Sequence, residues 1–524
     1  MTQDLGRHLI HRWNVGDALR RSAARHPDKL AIRFGDTTLT YRDLDRRANQ
    51  AARVLEDAGI RRGDPVAVLA LNSPDFVALF FGAARIGAPL VPVNALLRGR
   101  EIDYVLEFAG IKALVVDPAL AGSLNREGSA VAGVPVRFAF GDRDLPDGFA
   151  AFGPRLAAAP DGPVERYVDN EDAATILFTS GTTAFPKAVV NTHLNYYAAL
   201  LAAVADLEMN RRQHSCMGLP LFHSAGLFQT FSVIGVGAGM TLLPRIEPKA
   251  LLEAVARDRA TTMALPATVW AGLLQLPGIE QADLSSLELL IVFQYLPTEV
   301  FQHWAALVPR ARWVNYWGQT EMIPLGASTP PELLFAKLTA PDPIGYAHLP
   351  VEIRVVDEAM NDVGPGEVGE MVARGPSVTP GYLNDPAATE ELFRGGWHHT
   401  GDMAFRDADG FLYFVDRKKD MVKSGGENVS SQEVEEVLAR HPAVAEVAVF
   451  GLPHPYWIEM VAAAVTLKPG ATLTEAELIA FARDQMAHFK APRKVFIVDD
   501  LPRSPAGKIL KRELRERFAQ AAEA

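Results

Sequence analysis

Apolar residues follow alternating helical and strand periods through the first quarter of the chain. Segment 41–58 has its apolar residues at helical spacing and stops at Gly59, which predicts a helix. A hairpin around Gly35 comes before it, pairing 29–34 with 38–41. The expected elements that follow are strand 65–70, helix 75–86, strand 90–92, helix 98–108 and strand 113–116. This alternation predicts an α/β fold with a parallel sheet covered by helices. The section 322–363 is expected to be helical and rich in turns.

A turn rich in hydroxyl groups follows the apolar run 174–178, which predicts a buried strand. Parallel sheets bind ligands beyond the carboxyl ends of their strands, and hydroxyls, backbone N–H groups and an ammonium can surround a phosphate there. Pro186 stands where the common nucleotide P-loop needs glycine, so the turn is not that motif. Ordinary surface turns share this composition. From composition alone, the segment can be either a phosphate-binding turn or an ordinary surface turn. The candidate phosphate-binding residues are Thr179, Ser180, Gly181, Thr182, Thr183 and Lys187.

Polar residues beyond other strand-like runs indicate further parts of a nucleotide site. Tyr316 and Trp317 offer an aromatic pair that could stack on a purine. Glu321, beside the hydroxyl of Thr320, suits one inner-shell position on Mg²⁺, although a Thr-Glu pair is also a common helix start. Asp402 follows a glycine, where a carboxylate can accept hydrogen bonds from both ribose hydroxyls.

Composition narrows the class of protein. The 524 residues, 48% hydrophobic and 22% charged, are typical of a soluble globular protein with two or more domains. The net charge of -11 argues against a general nucleic-acid binder. The single cysteine, Cys216, excludes an intrachain disulfide and fits a reducing cytoplasm. The first residues lack the pattern of a secretory signal, and the uncharged run 223–244 predicts a buried helix and strand instead of a transmembrane segment.

Six segments resemble, in order, the motifs of the adenylate-forming superfamily, which includes acyl-CoA synthetases, firefly luciferases and stand-alone adenylation domains. They lie at 179–187, 220–226, 315–321, 400–402, 415–428 and 501–508. The resemblance implies a large domain, residues 1–416, of helix-covered parallel sheets with a small β subdomain. It also implies a small mobile α+β domain, residues 417–524, that rotates about a hinge at Lys419. The charged stretch 415–420 agrees with a boundary there.

The resemblance also assigns roles to individual residues. Lys508, Lys187, His223 and Glu321 are expected to be catalytic, and Thr320 with Glu321 to hold Mg²⁺. A lone histidine beside apolar residues is more often a core group, but the family's Pro-Leu-Phe-His motif lies beside the acyl pocket. The nucleotide-binding residues expected besides the hydroxyl-rich turn are Asn315, Tyr316, Trp317, Gln319, Thr320, Asp402, Arg417 and Lys508. The expected substrate-pocket residues are His223, Phe228, Phe293, Gln294, Tyr295, Gly318 and Met322. The residues expected at the coenzyme A tunnel are Lys423, Gly425 and Gly426.

Two half-reactions are implied by the same resemblance. A carboxylate attacks the α-phosphate of Mg-ATP to give an acyl adenylate and pyrophosphate, and the thiol of coenzyme A then displaces AMP. The reaction therefore needs a carboxylic acid, ATP, Mg²⁺ and coenzyme A. An acyl carrier protein, an amine or another nucleophile is the alternative acceptor, and a non-catalytic acyl- or nucleotide-binding protein is the alternative class. No nucleic-acid partner is expected, and monomer and homodimer both stay open.

Three departures from the family pattern affect these expectations. Ala184 and Ala188 replace glycines of the phosphate-binding turn, which stiffens it. Segment 292–295 reads V-F-Q-Y where relatives carry glycines. It predicts either a repacked loop of unchanged function or an acyl pocket partly filled by aromatic side chains. Gly318 stands where acetate-type relatives place tryptophan, so it favours a pocket open to a larger acid.

Overall fold

The computed structural model describes residues 9–124, 128–179, 186–293, 296–338, 342–424, 427–454, 457–503 and 507–519. Its α-helices are α1 (Val15–Arg25), α2 (Tyr41–Asp57), α3 (Pro74–Arg85), α4 (Arg100–Phe108), α5 (Phe152–Ala158), α6 (His193–Ala205), α7 (Ser224–Val236), α8 (Pro248–Asp258), α9 (Ala267–Leu273), α10 (Thr298–Leu307), α11 (Pro331–Lys337), α12 (Pro386–Leu392), α13 (Ser431–Ala439), α14 (Glu475–Gln485) and α15 (Lys511–Phe518).

The strands of the first half of the chain are β1 (Leu30–Phe34), β2 (Thr37–Thr40), β3 (Val66–Leu69), β4 (Leu90–Pro92), β5 (Ala113–Val116), β6 (Val136–Ala139), β7 (Ala150–Ala151), β8 (Ala173–Thr179), β9 (Lys187–Thr192), β10 (His214–Met217), β11 (Gly239–Leu242) and β12 (Thr262–Pro266). The later strands are β13 (Leu289–Phe293), β14 (Arg312–Trp317), β15 (Ala327–Ser328), β16 (Pro343–Ala347), β17 (Glu352–Val356), β18 (Gly369–Arg374), β19 (Gly381–Tyr382), β20 (His398–Arg406), β21 (Leu412–Arg417), β22 (Val422–Ser424), β23 (Glu427–Val429), β24 (Val444–His454), β25 (Ile458–Leu467) and β26 (Lys494–Ile497).

Helix ends in the first part of the chain are fixed by local chemistry. The Thr40 hydroxyl accepts from the backbone N–H of Asp43, and the Asp43 carboxylate accepts from the backbone N–H of Thr40, a capping box that starts α2. Ser73 caps α3 and is followed by Pro74, whose fixed φ suits the first helical position. Both helices therefore begin where the sequence places polar caps before apolar residues.

An eight-stranded sheet carries the hydroxyl-rich turn. Its order is β19-β9-β8-β4-β3-β5-β6-β7. The pairs from β8 through β4 and β3 to β7 are parallel, whereas β9 is antiparallel to β8 and β19 is antiparallel to β9. β3 and β5 are buried along their whole length, as expected for a sheet with covered faces. The prediction of a helix-covered parallel sheet is confirmed.

A thirteen-stranded sheet carries the rest of the large domain. Its order is β17-β18-β20-β21-β16-β15-β14-β13-β12-β10-β11-β1-β2. The run from β14 to β1 is parallel, and the pairs beyond β14 are antiparallel. The change from parallel to antiparallel pairing at β14 brings the residues after that strand close to β20 and β21.

The hairpin near the start of the chain lies in a different sheet from the strands that follow it. β1 and β2 pair antiparallel as predicted, but β1 then pairs in parallel with β11, with Ile32 opposite Met240. Strands β3 to β5 lie in the eight-stranded sheet. The sequence alternation showed the elements correctly but did not show which sheet each strand joins.

The section after Glu321 contains more strand than its sequence pattern indicated. Predicted as helical and rich in turns, it includes α11 but also β15, β16 and β17. Its first strand has only two residues, too few for a period-two pattern to be visible. The expectation of a helical and turn-rich section missed β15 for this reason, and it was also wrong for the five-residue strands β16 and β17.

A separate small sheet forms the carboxyl-terminal part. It contains β22 to β26, and α13 and α14 pack on one face of it, with Val434 and Leu438 of α13 and Leu478 of α14 in the same buried cluster as Val449 and Val461 of the sheet. The other face, with Phe450, covers Leu514 of α15. This arrangement is the α+β domain that the resemblance implied. Among the described residues, no helix is both long enough and apolar enough to cross a membrane.

Candidate active site

A buried carboxylate lies where β14, β20 and β21 come together. Asp402 on β20 is fully buried and stands directly opposite Arg417 on β21. Arg417 Nε lies 2.8 Å from Asp402 Oδ1. Trp317 Nε1 donates to Oδ2 at 2.8 Å, and Gln319 Nε2 donates to the same oxygen at 2.9 Å. The carboxylate is thus fixed by one cation and two neutral donors.

The carboxyl-terminal domain adds a second cation to this site. Burial raises the pKa of Asp402 above its usual value, while Arg417 and Lys508 are among the groups that oppose the rise. Lost solvation and the nearby cations of Arg417 and Lys419 lower the pKa of the Lys508 ammonium. Lys508 therefore lies within electrostatic reach of Asp402 and Arg417.

Gln319 is held in place by residues on both sides of its carboxamide. Its Nε2 also donates to the carbonyl oxygen of Thr400 at 2.8 Å. Its Oε1 lies 3.3 Å from Nε2 of His398. Burial lowers the pKa of His398 to about 4, so the ring is neutral near pH 7 and can donate from one nitrogen. The sequence showed His398 only as one of two adjacent histidines on a strand.

The predicted aromatic pair does not form one stacking surface. Successive side chains of β14 point to opposite faces. Trp317 contacts Asp402, whereas the ring of Tyr316 lies 5.4 Å from that of Phe293 in a different buried cluster. The expectation that Tyr316 and Trp317 stack together on a purine is wrong, because a strand separates neighbours. Trp317 is the one that belongs to the Asp402 cluster.

The hydroxyl-rich turn begins and ends on adjacent antiparallel strands. Thr179, the last residue of β8, is paired with Lys187, the first residue of β9, and Thr179 Oγ1 donates to the Lys187 carbonyl oxygen at 3.4 Å. The lysine is therefore fixed at the mouth of the turn. The remaining candidates in the turn lie outside the described residues, namely Ser180, Gly181, Thr182 and Thr183.

Glu321 and Lys187 both contact the side chain of Tyr382. The Tyr382 hydroxyl donates to Glu321 Oε1 at 3.0 Å, and Lys187 Nζ lies 4.6 Å from the centroid of the Tyr382 ring. Burial and the Glu321 charge raise the pKa of Tyr382, so its hydroxyl stays a donor. Sequence reasoning missed Tyr382 because β19, with two residues, carries no pattern of its own.

The residues near Glu321 suit a magnesium ion. Thr320 Oγ1 lies 3.4 Å from Ser224 Oγ, and Glu321, the next residue, carries a carboxylate. Oxygen is the ligand that Mg²⁺ prefers. No group of three or more His, Cys, Asp or Glu side chains placed to hold a metal occurs within the described ranges. The donor set fits an ion held by Glu321 together with phosphate oxygens and water.

His223 lies at the start of a buried helix. It is the N-cap residue of α7, and its ring centroid is 4.7 Å from that of Phe222. Burial lowers the pKa of His223 to about 4, so the imidazole is neutral near pH 7. It can donate or accept a hydrogen bond but does not supply a positive charge. Gln294 and Tyr295, also expected at the acyl pocket, lie outside the described residues.

The other expected pocket residues fall into two clusters. Phe228 is buried in the large core of the first domain, and Phe293 packs partly buried against the same core. Met322 is fully buried in a second cluster together with Trp317. The structure therefore places Phe228 and Phe293 at the large core and Met322 in a separate cluster.

Gly318 is required by a close backbone approach. A Cβ built there would lie 1.3 Å from the carbonyl oxygen of Pro324. The space that a side chain would take is filled by backbone, so the glycine does not create an opening for a larger acid. That interpretation was wrong because the chain turns back on itself after β14.

The side chain of Asn315 makes hydrogen bonds to the start of β16. Its side chain is buried, and Nδ2 donates to Asp342 Oδ1 at 2.8 Å and to the Pro343 carbonyl oxygen at 2.9 Å. Both donor hydrogens are thus used to attach β16 to β14. The amide hydrogens are therefore not available to a nucleotide, whereas the buried Oδ1 has no hydrogen-bond partner within the described part of the chain and can still accept one.

The expected hinge and tunnel residues lie beyond β21. The Lys419 carbonyl oxygen accepts from Arg515 of α15 at 3.1 Å, and Arg515 also lies 3.2 Å from Asp420. The backbone N–H of Lys423 donates to Glu459 Oε2 at 2.8 Å, and the lysine side chain is exposed. Gly425 and Gly426 lie outside the described residues.

The fold and site define an adenylate-forming enzyme, and comparison with known proteins agrees. The family model of the AMP-binding enzyme matches residues 19–383, and that of the AMP-binding enzyme C-terminal domain matches residues 433–508. The chain belongs to the AMP-binding enzyme family. Within that family it is an AMP-forming acyl-CoA ligase, which acts through an acyl adenylate.

Relatives and solved structures cover almost the whole chain. A feruloyl-CoA synthase from Amycolatopsis sp is 34% identical over 95% of this chain and 98% of its own length. A 2-succinylbenzoate–CoA ligase from Geobacillus kaustophilus (strain HTA426) is 33% identical over 95% of this chain and 96% of its own. The crystal structure of ATP-bound MatB from Rhodopseudomonas palustris superposes with a TM-score of 0.86 at 30% identity, covering 97% of this chain and 100% of that chain.

Proposed function

We propose that this ligase uses Mg-ATP to activate an aromatic carboxylic acid and then transfers the acyl group to coenzyme A. The observation that carries the proposal is the convergence of Trp317, Gln319, Arg417 and Lys508 on the buried Asp402. Such a cluster suits a ribose and the phosphate next to it. The aromatic class is supported by the names of the two relatives described above, both of which act on aromatic acids.

The first half-reaction brings two anions together. A carboxylate oxygen of the acid attacks the α-phosphorus of ATP, an oxygen–phosphorus bond forms, and the bond to pyrophosphate breaks. Positive charge held in place lowers this barrier most effectively. In our proposal Lys508 neutralises charge on the α-phosphate, and Lys187 neutralises charge on the phosphates that leave.

The nucleotide is oriented by the buried ion pair. We propose that Asp402 accepts hydrogen bonds from the ribose hydroxyls and that Arg417 reaches the same sugar. Thr320 and Glu321 would hold Mg²⁺, which when bound neutralises phosphate charge. Neutral His223 fits the side of the site facing the acid, because an uncharged imidazole does not compete with the lysines for the reacting carboxylate.

The second half-reaction needs a different arrangement of the carboxyl-terminal domain. The coenzyme A sulfur attacks the acyl carbonyl carbon, and the bond to the AMP oxygen breaks. We propose domains at residues 1–416 and 417–524, with rotation about Lys419 that withdraws Lys508 and brings Lys423 with its neighbouring glycines to the thiol tunnel. The single buried Cys216 supports a cytoplasmic location for this thiol chemistry.

Pyrophosphate release tests the proposal. The protein is incubated with Mg-ATP and a panel of short, medium-chain, long-chain, aromatic and amino-substituted acids, each with and without coenzyme A. We expect release that depends on an aromatic acid, with AMP and a thioester formed only when coenzyme A is present. Release that prefers aliphatic acids would contradict the acid class. Release without any thioester would identify an acyl carrier protein or another nucleophile as the acceptor, and no release with any acid would identify a non-catalytic relative.

A further inference from the structure

One side chain contacts both charged groups that serve the phosphates. Tyr382 donates its hydroxyl to Glu321 Oε1 at 3.0 Å, while Lys187 Nζ lies over the face of its ring at 4.6 Å from the centroid. A ring face attracts a cation through its quadrupole, and a phenol hydroxyl is a good donor to a carboxylate. The hydroxyl of Tyr382 therefore holds the negative charge of Glu321, and the face of its ring holds the positive charge of Lys187.

The short segment 379–382 fastens Tyr382 to both partners. Thr379 donates its backbone N–H to the Glu321 carbonyl oxygen at 2.7 Å. Tyr382 pairs with Val189 of β9, the strand that begins at Lys187. The backbone of the segment thus contacts Glu321 and the strand of Lys187, and the tyrosine side chain contacts the side chains of the same two residues.

Two threonines fix the conformation of this segment. The Thr379 hydroxyl donates to the Val190 carbonyl oxygen and accepts from the backbone N–H of Gly381. Thr389 Oγ1 accepts from the backbone N–H of Tyr382 at 3.0 Å. Gly381 has φ +142, and a Cβ there would lie 2.5 Å from Thr389. The backbone that carries the tyrosine is therefore tightly defined.

Keeping the two charges apart has a chemical consequence. Among the ion pairs of the described residues, none joins Lys187 to Glu321, although both side chains contact Tyr382. A lysine and a glutamate that paired directly would each have less charge to offer a phosphate or a metal ion. We propose that Tyr382 is a positioning residue that holds Glu321 toward Mg²⁺ and Lys187 toward the phosphates while preventing their direct pairing.

This inference rests on the proposed function of the same site, so its test does not depend on turnover. Calorimetric titration of the full-length protein with ATP, without any acid, is performed once with Mg²⁺ and once with EDTA. The ratio of the two dissociation constants measures how strongly Mg²⁺ and ATP binding are coupled. Tyr346, exposed on β16 with its ring against Phe411, provides the matched control Tyr346→Phe.

Tyr382→Phe removes the hydroxyl but keeps the ring. We expect the Mg²⁺ coupling to fall about tenfold, with the dissociation constant in EDTA within about twofold of the parent protein. Tyr382→Leu removes the ring as well, and we expect it to weaken ATP binding in EDTA about fivefold besides. In a Glu321→Gln background, Tyr382→Phe should have no further effect on the coupling, since it acts through Glu321.

The results separate this inference from the proposed function. Either of two results would overturn the role of Tyr382, even if the ligase reaction is confirmed. One is that Tyr382→Phe shows the same Mg²⁺ coupling as Tyr346→Phe. The other is that the effect of Tyr382→Phe on the coupling adds fully to the effect of Glu321→Gln. The expected change in coupling in a protein that releases no pyrophosphate with any acid would support Tyr382 and reject the ligase reaction. A melting temperature equal to that of the parent protein verifies that Tyr382→Phe is folded.

Discussion

The indole Nε1 of Trp317 donates a hydrogen bond to Oδ2 of Asp402 over 2.8 Å, from β14 to β20, while its neighbour Tyr316 packs on Phe293. Trp317→Phe keeps an aromatic ring but loses a donor to a buried charge. We expect the KM for ATP to rise about tenfold, because a hydrogen bond to a charged group is worth roughly 1.5–3 kcal/mol and part is recovered from water.

Tyr316→Phe is the matched change on the opposite face of the same strand. We expect it to leave the KM for ATP within about twofold of the parent value, since Tyr316 does not contact Asp402. Steady-state kinetics at saturating acid and coenzyme A measure both variants. If Tyr316→Phe raised the KM for ATP as much as Trp317→Phe, the assignment of the two faces would be wrong.

Lys508→Ala separates the two half-reactions. We expect adenylation, measured as pyrophosphate release, to fall about 100- to 1,000-fold, because a fixed cation at the α-phosphate is lost. Thioester formation from supplied acyl adenylate and coenzyme A should stay within a few-fold of the parent rate. The control is Lys468→Ala, an exposed lysine in the same domain. Equal losses in both half-reactions would contradict the role given to Lys508.

Gly318→Ala tests why a glycine stands after β14. Because the new Cβ would overlap the Pro324 carbonyl oxygen, we expect a melting temperature several degrees lower and reduced activity toward every acid. Gly272→Ala in α9, where nothing lies within 4 Å of the added atom, should be neutral or slightly stabilising. A selective loss of large acids with unchanged melting temperature would instead restore the pocket-opening interpretation.

Asp342 predicts a dependence of stability on pH. Burial raises the pKa of Asp342 to about 7, with Glu436 adding to the rise and Asn315 opposing it. In the unfolded chain an aspartate has a pKa of about 4. Between these values the folded protein binds the extra proton, so the contribution of Asp342 to stability is complete below about pH 4 and is lost as the pH rises through about 7.

Asp342→Asn removes this loss, because asparagine keeps an oxygen for Asn315 and has no proton to release. The free energy of unfolding of the variant, relative to that of the parent protein, should rise by about 2 kcal/mol as the pH is raised from about 5 to about 8. Melting temperatures at both pH values measure the gain, and Asp409→Asn, at an exposed position, is the control. A stability difference that is the same at both pH values would contradict the raised pKa.

The sequence by itself determined most helices and strands, because apolar spacing and polar caps act within a few residues. Helix α2 and strands β3 to β5 follow their predicted bounds within two residues. It also determined the family, since six motifs occur in the expected order, and through them it pointed to Asp402, Arg417 and Lys508. Asp402 lies within β20, Arg417 ends β21 and Lys508 follows the last strand, but each belongs to a short motif that is visible in its own segment.

Only the tertiary structure decided which segments meet. Strand β1 pairs with β11 two hundred residues away, Trp317 instead of Tyr316 faces Asp402, and the Pro324 carbonyl oxygen fills the space beside Gly318. Tyr382 was invisible in the sequence, because its importance comes from a two-residue strand that brings one ring between Lys187 and Glu321. Contacts between distant residues depend on strand pairing and backbone approach, and no local pattern of apolar and polar residues encodes them.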